Sequence, residues 1–148
     1  MHISKFVLAT AFVVAVGTAP ALAANVDVQL LNKGEMGSMV FQPDLIKINV
    51  GDTVTFLPTD KGHDVQSITG LAPAGAESFK GDTSQPLTQT FTVPGVYEVK
   101  CTPHYGLGMV AVIVVGNDLS NLDALKAAHN PKLPQARLDA IFAQLASK

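Results

Sequence analysis

One cysteine, Cys101, stands in a chain of 148 residues, so no disulfide can form within it. Charged residues are scarce, at 15%, while hydrophobic residues make up 47%. That balance builds a core and excludes long disordered stretches. Ten basic and 12 acidic side chains leave a formal net charge of -2. No basic excess exists to bind nucleic acid by bulk charge. The C-x-x-C-H sequence of an attached c-type haem is absent, as are internal repeats and low-complexity tracts.

The N-terminus carries an apolar run, Phe6 to Val16, behind the single cation Lys5. It ends at Gly17 and Pro20 and is too short to span a bilayer. Ala21-Leu22-Ala23 is a small-x-small cleavage site. Residues 1–23 therefore read as a secretory signal peptide, with Ala24 first in the exported chain. Removing them takes away Lys5 and no acid, which moves the net charge from -2 to -3. No other stretch predicts a membrane span. Export sharpens the question of the cysteine. In an oxidising compartment an unpaired thiol is buried, paired with another molecule or bound to a metal.

Residues 24–116 read as strands. Val26, Val28 and Leu30 alternate with Asp27, Gln29 and Leu31 until Asn32-Lys33-Gly34, and Met39-Val40-Phe41 resumes the strand. Pro43-Asp44 and Gly51-Asp52 mark turns around Ile46, Ile48 and Val50. Val54 to Leu57, Thr90 to Val93, Val96 to Lys100 and Val110 to Val115 are further strands. Residues 70–85 read as loop, with a helical turn near Ala76–Phe79. About seven to eight short strands at this spacing predict a mainly β, antiparallel Greek-key sandwich. After Gly116 the period changes. Leu119, Leu122 and Leu125 predict one helix, capped by Asn117 or Asp118 and stopped at Asn130-Pro131. Leu138, Ile141, Phe142 and Leu145 predict a second, beginning near Pro134. Residues 117–148 are thus a C-terminal helical pair packed on the sandwich.

Cys101, His104 and Met109 share one loop between two strands, spaced C-x2-H-x4-M. Tyr97, Val99 and Cys101 fall on one strand face, the better core candidate; Val96, Glu98 and Lys100 fall on the other. Cys101 should point inward, with His104 and Met109 returning toward it. His63 follows Gly62 in a separate loop. A thiolate, two imidazoles and a weak axial thioether form the trigonal set that holds copper for electron transfer. Each residue has an ordinary alternative: core cysteine, core methionine, surface histidine. Together they outweigh it. Zinc accepts cysteine and histidine but rarely methionine, and its structural sites usually carry more cysteines. A Cys101–His104 hydrolase pair lacks a third group and gives Met109 no role. His2 and His129 are not candidates.

Gly51–Phe56, Asp60–His63, Pro94–Tyr97 and Cys101–Met109 resemble the cupredoxins, and among them the pseudoazurins, across the whole exported chain. The resemblance implies His63, Cys101, His104 and Met109 as ligands of one type 1 copper ion. It implies a monomeric periplasmic electron carrier that is not an enzyme. It would serve redox partners such as copper nitrite reductase and c-type cytochromes in denitrification. They would dock at the His104 face, over an apolar patch near Met39 and Pro103. Lys33, Lys61, Lys80 and Lys100 resemble the family's lysine rim. A copper chaperone or storage protein is the alternative, but such proteins favour exposed, exchangeable sites. One position departs from the pattern: Asp64 stands where pseudoazurins usually have asparagine. Asparagine there ties the two ligand loops together, and aspartate lacks its amide donors.

Overall fold

Residues 21–146 are described by the structure, a computed structural model. Most of the expected signal peptide, residues 1–20, lies outside them. No described helix is long and apolar enough to cross a membrane.

Eight strands are β1 (Asn25–Gly34), β2 (Gly37–Gln42), β3 (Leu45–Ile48), β4 (Thr53–Leu57), β5 (Gln66–Ser67), β6 (Leu87–Thr90), β7 (Gly95–Lys100) and β8 (Val110–Val115). They form two four-stranded sheets, ordered β2-β1-β4-β6 and β3-β8-β7-β5. Two helices follow, α1 (Leu122–Lys126) and α2 (Lys132–Ala146). The chain is a mainly β sandwich with two C-terminal helices, as expected. The pairings are less uniform than the pattern suggested. β1–β4 and β3–β8 are parallel. Alternation reports which face is buried and carries no information on strand direction.

The core has two layers. Val28, Leu30, Phe41, Phe56, Tyr97 and Ile113 meet between the sheets, together with Cys101 and Met109. On the outer face of the second sheet, Val96, Val110, Val112 and Val114 pack under Leu122, Leu125, Leu138, Ile141 and Phe142 of the helices. Every residue of β8 is therefore buried, and its sequence VAVIVV shows no alternation. The same layering corrects the reading of β7. Its second face is not the solvent face, and Glu98 is 0% exposed with neither carboxyl oxygen partnered.

Other differences are local. The two-residue β5 carried no strand signal; it pairs with β7. Ala76–Phe79 forms no helical turn, because Phe79 is held extended against Ser67 through its N–H and carbonyl. The strand expected over Thr90–Val93 lies at Leu87–Thr90 instead. Phe91 leaves the sheet edge, bonds through its backbone to Gly51 and Asp52, and buries its ring at 5.1 Å from Tyr97. α1 begins after Asn121, not Asn117 or Asp118, and Leu119 lies outside it, 41% exposed. Asn121 is occupied elsewhere: its side chain bonds both the N–H and the carbonyl of Val96, fastening the helical segment to β7.

Candidate metal centre

The site sits where β7 ends. β7 delivers Cys101 into the sandwich, and the chain turns through a short 3-10 helix, Thr102–Leu107, before β8. The Cys101 carbonyl accepts the His104 N–H at 3.2 Å, which folds His104 back over the cysteine. The turn ends at Gly108, whose φ of 90° disfavours any side chain. A Cβ there would also stand 3.3 Å from the Leu133 carbonyl oxygen of α2. The Cys101 N–H donates to the Met109 carbonyl at 3.0 Å, and the Met109 N–H to the His104 carbonyl at 3.3 Å. The backbone thus binds all three loop residues to one another.

His63 arrives on a separate loop, which runs from β4 of the first sheet to β5 of the second. The Asp60 carboxylate accepts the Asn32 N–H at 2.7 Å, which holds that loop to β1. The Gly62 N–H donates to Ser84 Oγ and the Ser84 N–H to the His63 carbonyl, each at 2.8 Å. On the ring itself, Nε2 lies 3.0 Å from the side-chain oxygen of Asn32. An amide oxygen only accepts, so Nε2 carries the proton and Nδ1 presents its lone pair.

That lone pair meets two other donors. His63 Nδ1 and His104 Nδ1 are 3.1 Å apart. Cys101 Sγ lies 3.5 Å from His104 Nδ1 and 3.7 Å from His63 Nδ1. The point equidistant from all three is about 2.0 Å from each, close to a metal–imidazole bond length. His63, Cys101 and Met109 are fully buried; His104 is half-buried, and Pro103 and Leu107 beside it are exposed. Burial lowers the pKa of His63, and the neighbouring His104 adds to this, while Asp60 and Asp64 oppose it. Burial pushes the Cys101 thiol up to about 11, against the Asp64 N–H that favours thiolate. A cation entering here must displace the thiol proton. One sulfur, two ring nitrogens and a buried thioether nearby suit copper better than zinc, which seldom takes methionine.

The chain matches the family model for copper-binding proteins of the plastocyanin/azurin family over residues 28–116. A pseudoazurin of Paracoccus pantotrophus is 49% identical over 127 residues, covering 86% of this chain and 88% of that protein. The chain belongs to the pseudoazurin family. The refined crystal structure of pseudoazurin from Methylobacterium extorquens superposes with a TM-score of 0.80 at 49% identity, covering 82% of this chain and 98% of that one. A pseudoazurin from Sinorhizobium gives 0.80 at 42%, covering 84% and 98%. Like other pseudoazurins, the protein is a copper-binding electron-transfer protein.

Against that family background Asp64 is informative. Its Oδ1 accepts the Thr102 N–H at 2.6 Å, joining the His63 loop to the Cys101 loop. The tie expected of asparagine therefore survives, because it uses an oxygen that aspartate also has. Asn32 was not legible as a site residue. It is one polar position at a strand end, and only the fold brings it to the His63 ring.

Proposed function

We propose that His63 Nδ1, Cys101 Sγ, His104 Nδ1 and the Met109 thioether hold one copper ion, and that the protein shuttles single electrons between periplasmic redox proteins. The convergence of three donors from two separate loops on one point carries this reading. Copper supplies a one-electron couple there, between Cu(I) and Cu(II). The chain supplies the rest. Thiolate and thioether favour the reduced state and imidazoles accept both, so a fixed donor set lowers the reorganisation between them. The ties from Asn32, Ser84, Asp64 and Met109 hold that set rigid. No substrate is transformed, and the protein is not an enzyme.

His104 is the half-buried ring of the set, and exposed Pro103 and Leu107 surround it. Electrons enter and leave through this ring when a partner covers the apolar surface. Lys33 follows Asn32, Lys61 precedes the His63 turn, and Lys80 bridges to Gln66, whose side chain bonds Thr102. Lys100 adjoins Cys101 and stands 5.2 Å from the Tyr105 ring centre. These cations at the metal end support docking to acidic partners such as copper nitrite reductase and c-type cytochromes in denitrification, by a monomeric carrier. The apolar leader supports export to the periplasm. Burial of three ligands argues against the chaperone or storage alternative, which needs an exchangeable ion.

The absorption spectrum of oxidised, copper-loaded protein tests this. An intense thiolate-to-Cu(II) band that vanishes in Cys101→Ser is expected. A colourless loaded protein would end the electron-carrier reading.

A further inference from the structure

His63 lies on the connection from β4 of the first sheet to β5 of the second, and its neighbour Asp64 already ties that connection to Thr102. The remaining freedom in the ligand spacing therefore lies in how the His63 ring is held on the first sheet. The His63 loop is fastened to β1 of the first sheet; Cys101, His104 and Met109 hang between β7 and β8 of the second. α2 touches both sides. On the second sheet, Leu133 packs its backbone against Gly108, the residue before Met109. Tyr105, the residue after His104, donates its hydroxyl to Asn130 at 2.7 Å, and Asn130 bonds Gln135 of α2 at 3.3 Å.

On the first sheet the contact runs through Arg137. Arg137 reaches from α2 to β2 and donates to the Met39 carbonyl at 2.8 Å and the Ser38 carbonyl at 3.4 Å. Met39 has a φ of 51°, so its carbonyl is turned out of an ordinary ladder geometry. It sits between the paired positions Leu31–Val40 and Lys33–Ser38, which places it across from Asn32. Asn32 is the residue whose amide oxygen fixes the His63 ring. Arg137 is therefore three links from one ligand, through Met39 and Asn32, while its own helix is one link from the other loop.

We propose that Arg137 is a positioning residue of the copper site. It acts as a brace between the sheets, holding the Asn32–His63 side at a set distance from the Cys101–Met109 loop. A guanidinium fork suits this role, because two N–H groups take two successive carbonyls and so fix orientation as well as distance. The proposal rests on the copper reading above.

The test compares Arg137→Met and Arg137→Lys with the parent. Methionine keeps the apolar stem and removes every donor; lysine keeps the charge and one point of attachment. Copper(I) affinity is measured by competition with a chelator. Amide exchange at Asn32 and Met39 is measured in the metal-free protein, and the thiolate-to-Cu(II) spectrum in the oxidised protein. Arg137→Met is expected to bind copper about tenfold more weakly, with faster exchange at Asn32 and altered band intensities. Arg137→Lys should recover part of each. Unchanged affinity, exchange and spectrum in folded Arg137→Met would overturn the brace, whatever happened to thermal stability. A parent that shows no thiolate band fails the copper reading itself, and that result is visible before any variant is made.

Discussion

The side-chain oxygen of Asn32 lies 3.0 Å from His63 Nε2, and His63 Nδ1 lies 3.1 Å from His104 Nδ1. The first contact makes the second useful. It fixes the proton on the outer nitrogen and aims a lone pair at the site. Asn32→Leu should free the ring and leave its N–H without an acceptor in a buried place. Copper affinity is expected to fall by about tenfold or more, the usual effect of removing such a partner. Competition titration checks it; an affinity equal to the parent's would show that the contact has no orienting role.

Burial is the main reason the Cys101 thiol keeps its proton to high pH, and the negative charge of Asp64 adds to it. The same charge favours Cu(II) over Cu(I). Asp64→Asn preserves the acceptor for the Thr102 N–H and removes the charge. The reduction potential should rise by an amount on the order of 1 kcal/mol, discounted from the unscreened value for nearby solvent. Protein-film voltammetry on both forms measures it, and an unchanged potential would remove the idea.

Glu98 sets a pH dependence of stability. Burial raises its pKa from 4.5 to about 7. The folded state thus holds a proton that the unfolded chain releases earlier. Stability is fully present below about pH 4.5 and declines as pH rises to about 7, then stays level. The total change from this group is about 3 kcal/mol. Val96, on the same face of β7, packs among apolar residues of β8, α1 and α2, and the Glu98 charge adds to burial in raising the Tyr105 pKa. Glu98→Gln should match the parent near pH 4 and exceed it by up to about 3 kcal/mol at pH 8. Urea denaturation at both pH values reads this difference directly.

Gly108 carries two constraints at once: a φ of 90° and the Leu133 backbone at 3.3 Å from a notional Cβ. Gly108→Ala is expected to cost about 1–3 kcal/mol, from strain and from displacement of α2. Thermal unfolding measures the loss. Because Met109 follows directly, the spectrum of the copper form should change as well.

Much of this was legible in the residues. Cys101, His104 and Met109 announce themselves because a single turn keeps them together in sequence, and His63 because its loop resembles a known pattern. The strands with clean alternation, such as β1 and β4, were equally plain. What failed depended on the third layer. Without knowing that the helices cover the outer face of β7, Glu98 reads as a solvated acid. Thr90–Val93 has strand-forming residues, yet Phe91 turns inward to meet the Tyr97 ring, a contact that alternation along one strand does not encode. Asn32, Ser84 and Arg137 are ordinary polar residues whose partners lie far away in the chain, beyond the reach of local pattern.

β8 has no side that faces water. Each of its six side chains is shared out between two interiors, so this hexapeptide should be the least mutable part of the molecule. Random libraries spanning it ought to return almost nothing but aliphatic residues, while the outward positions of β1 accept most replacements.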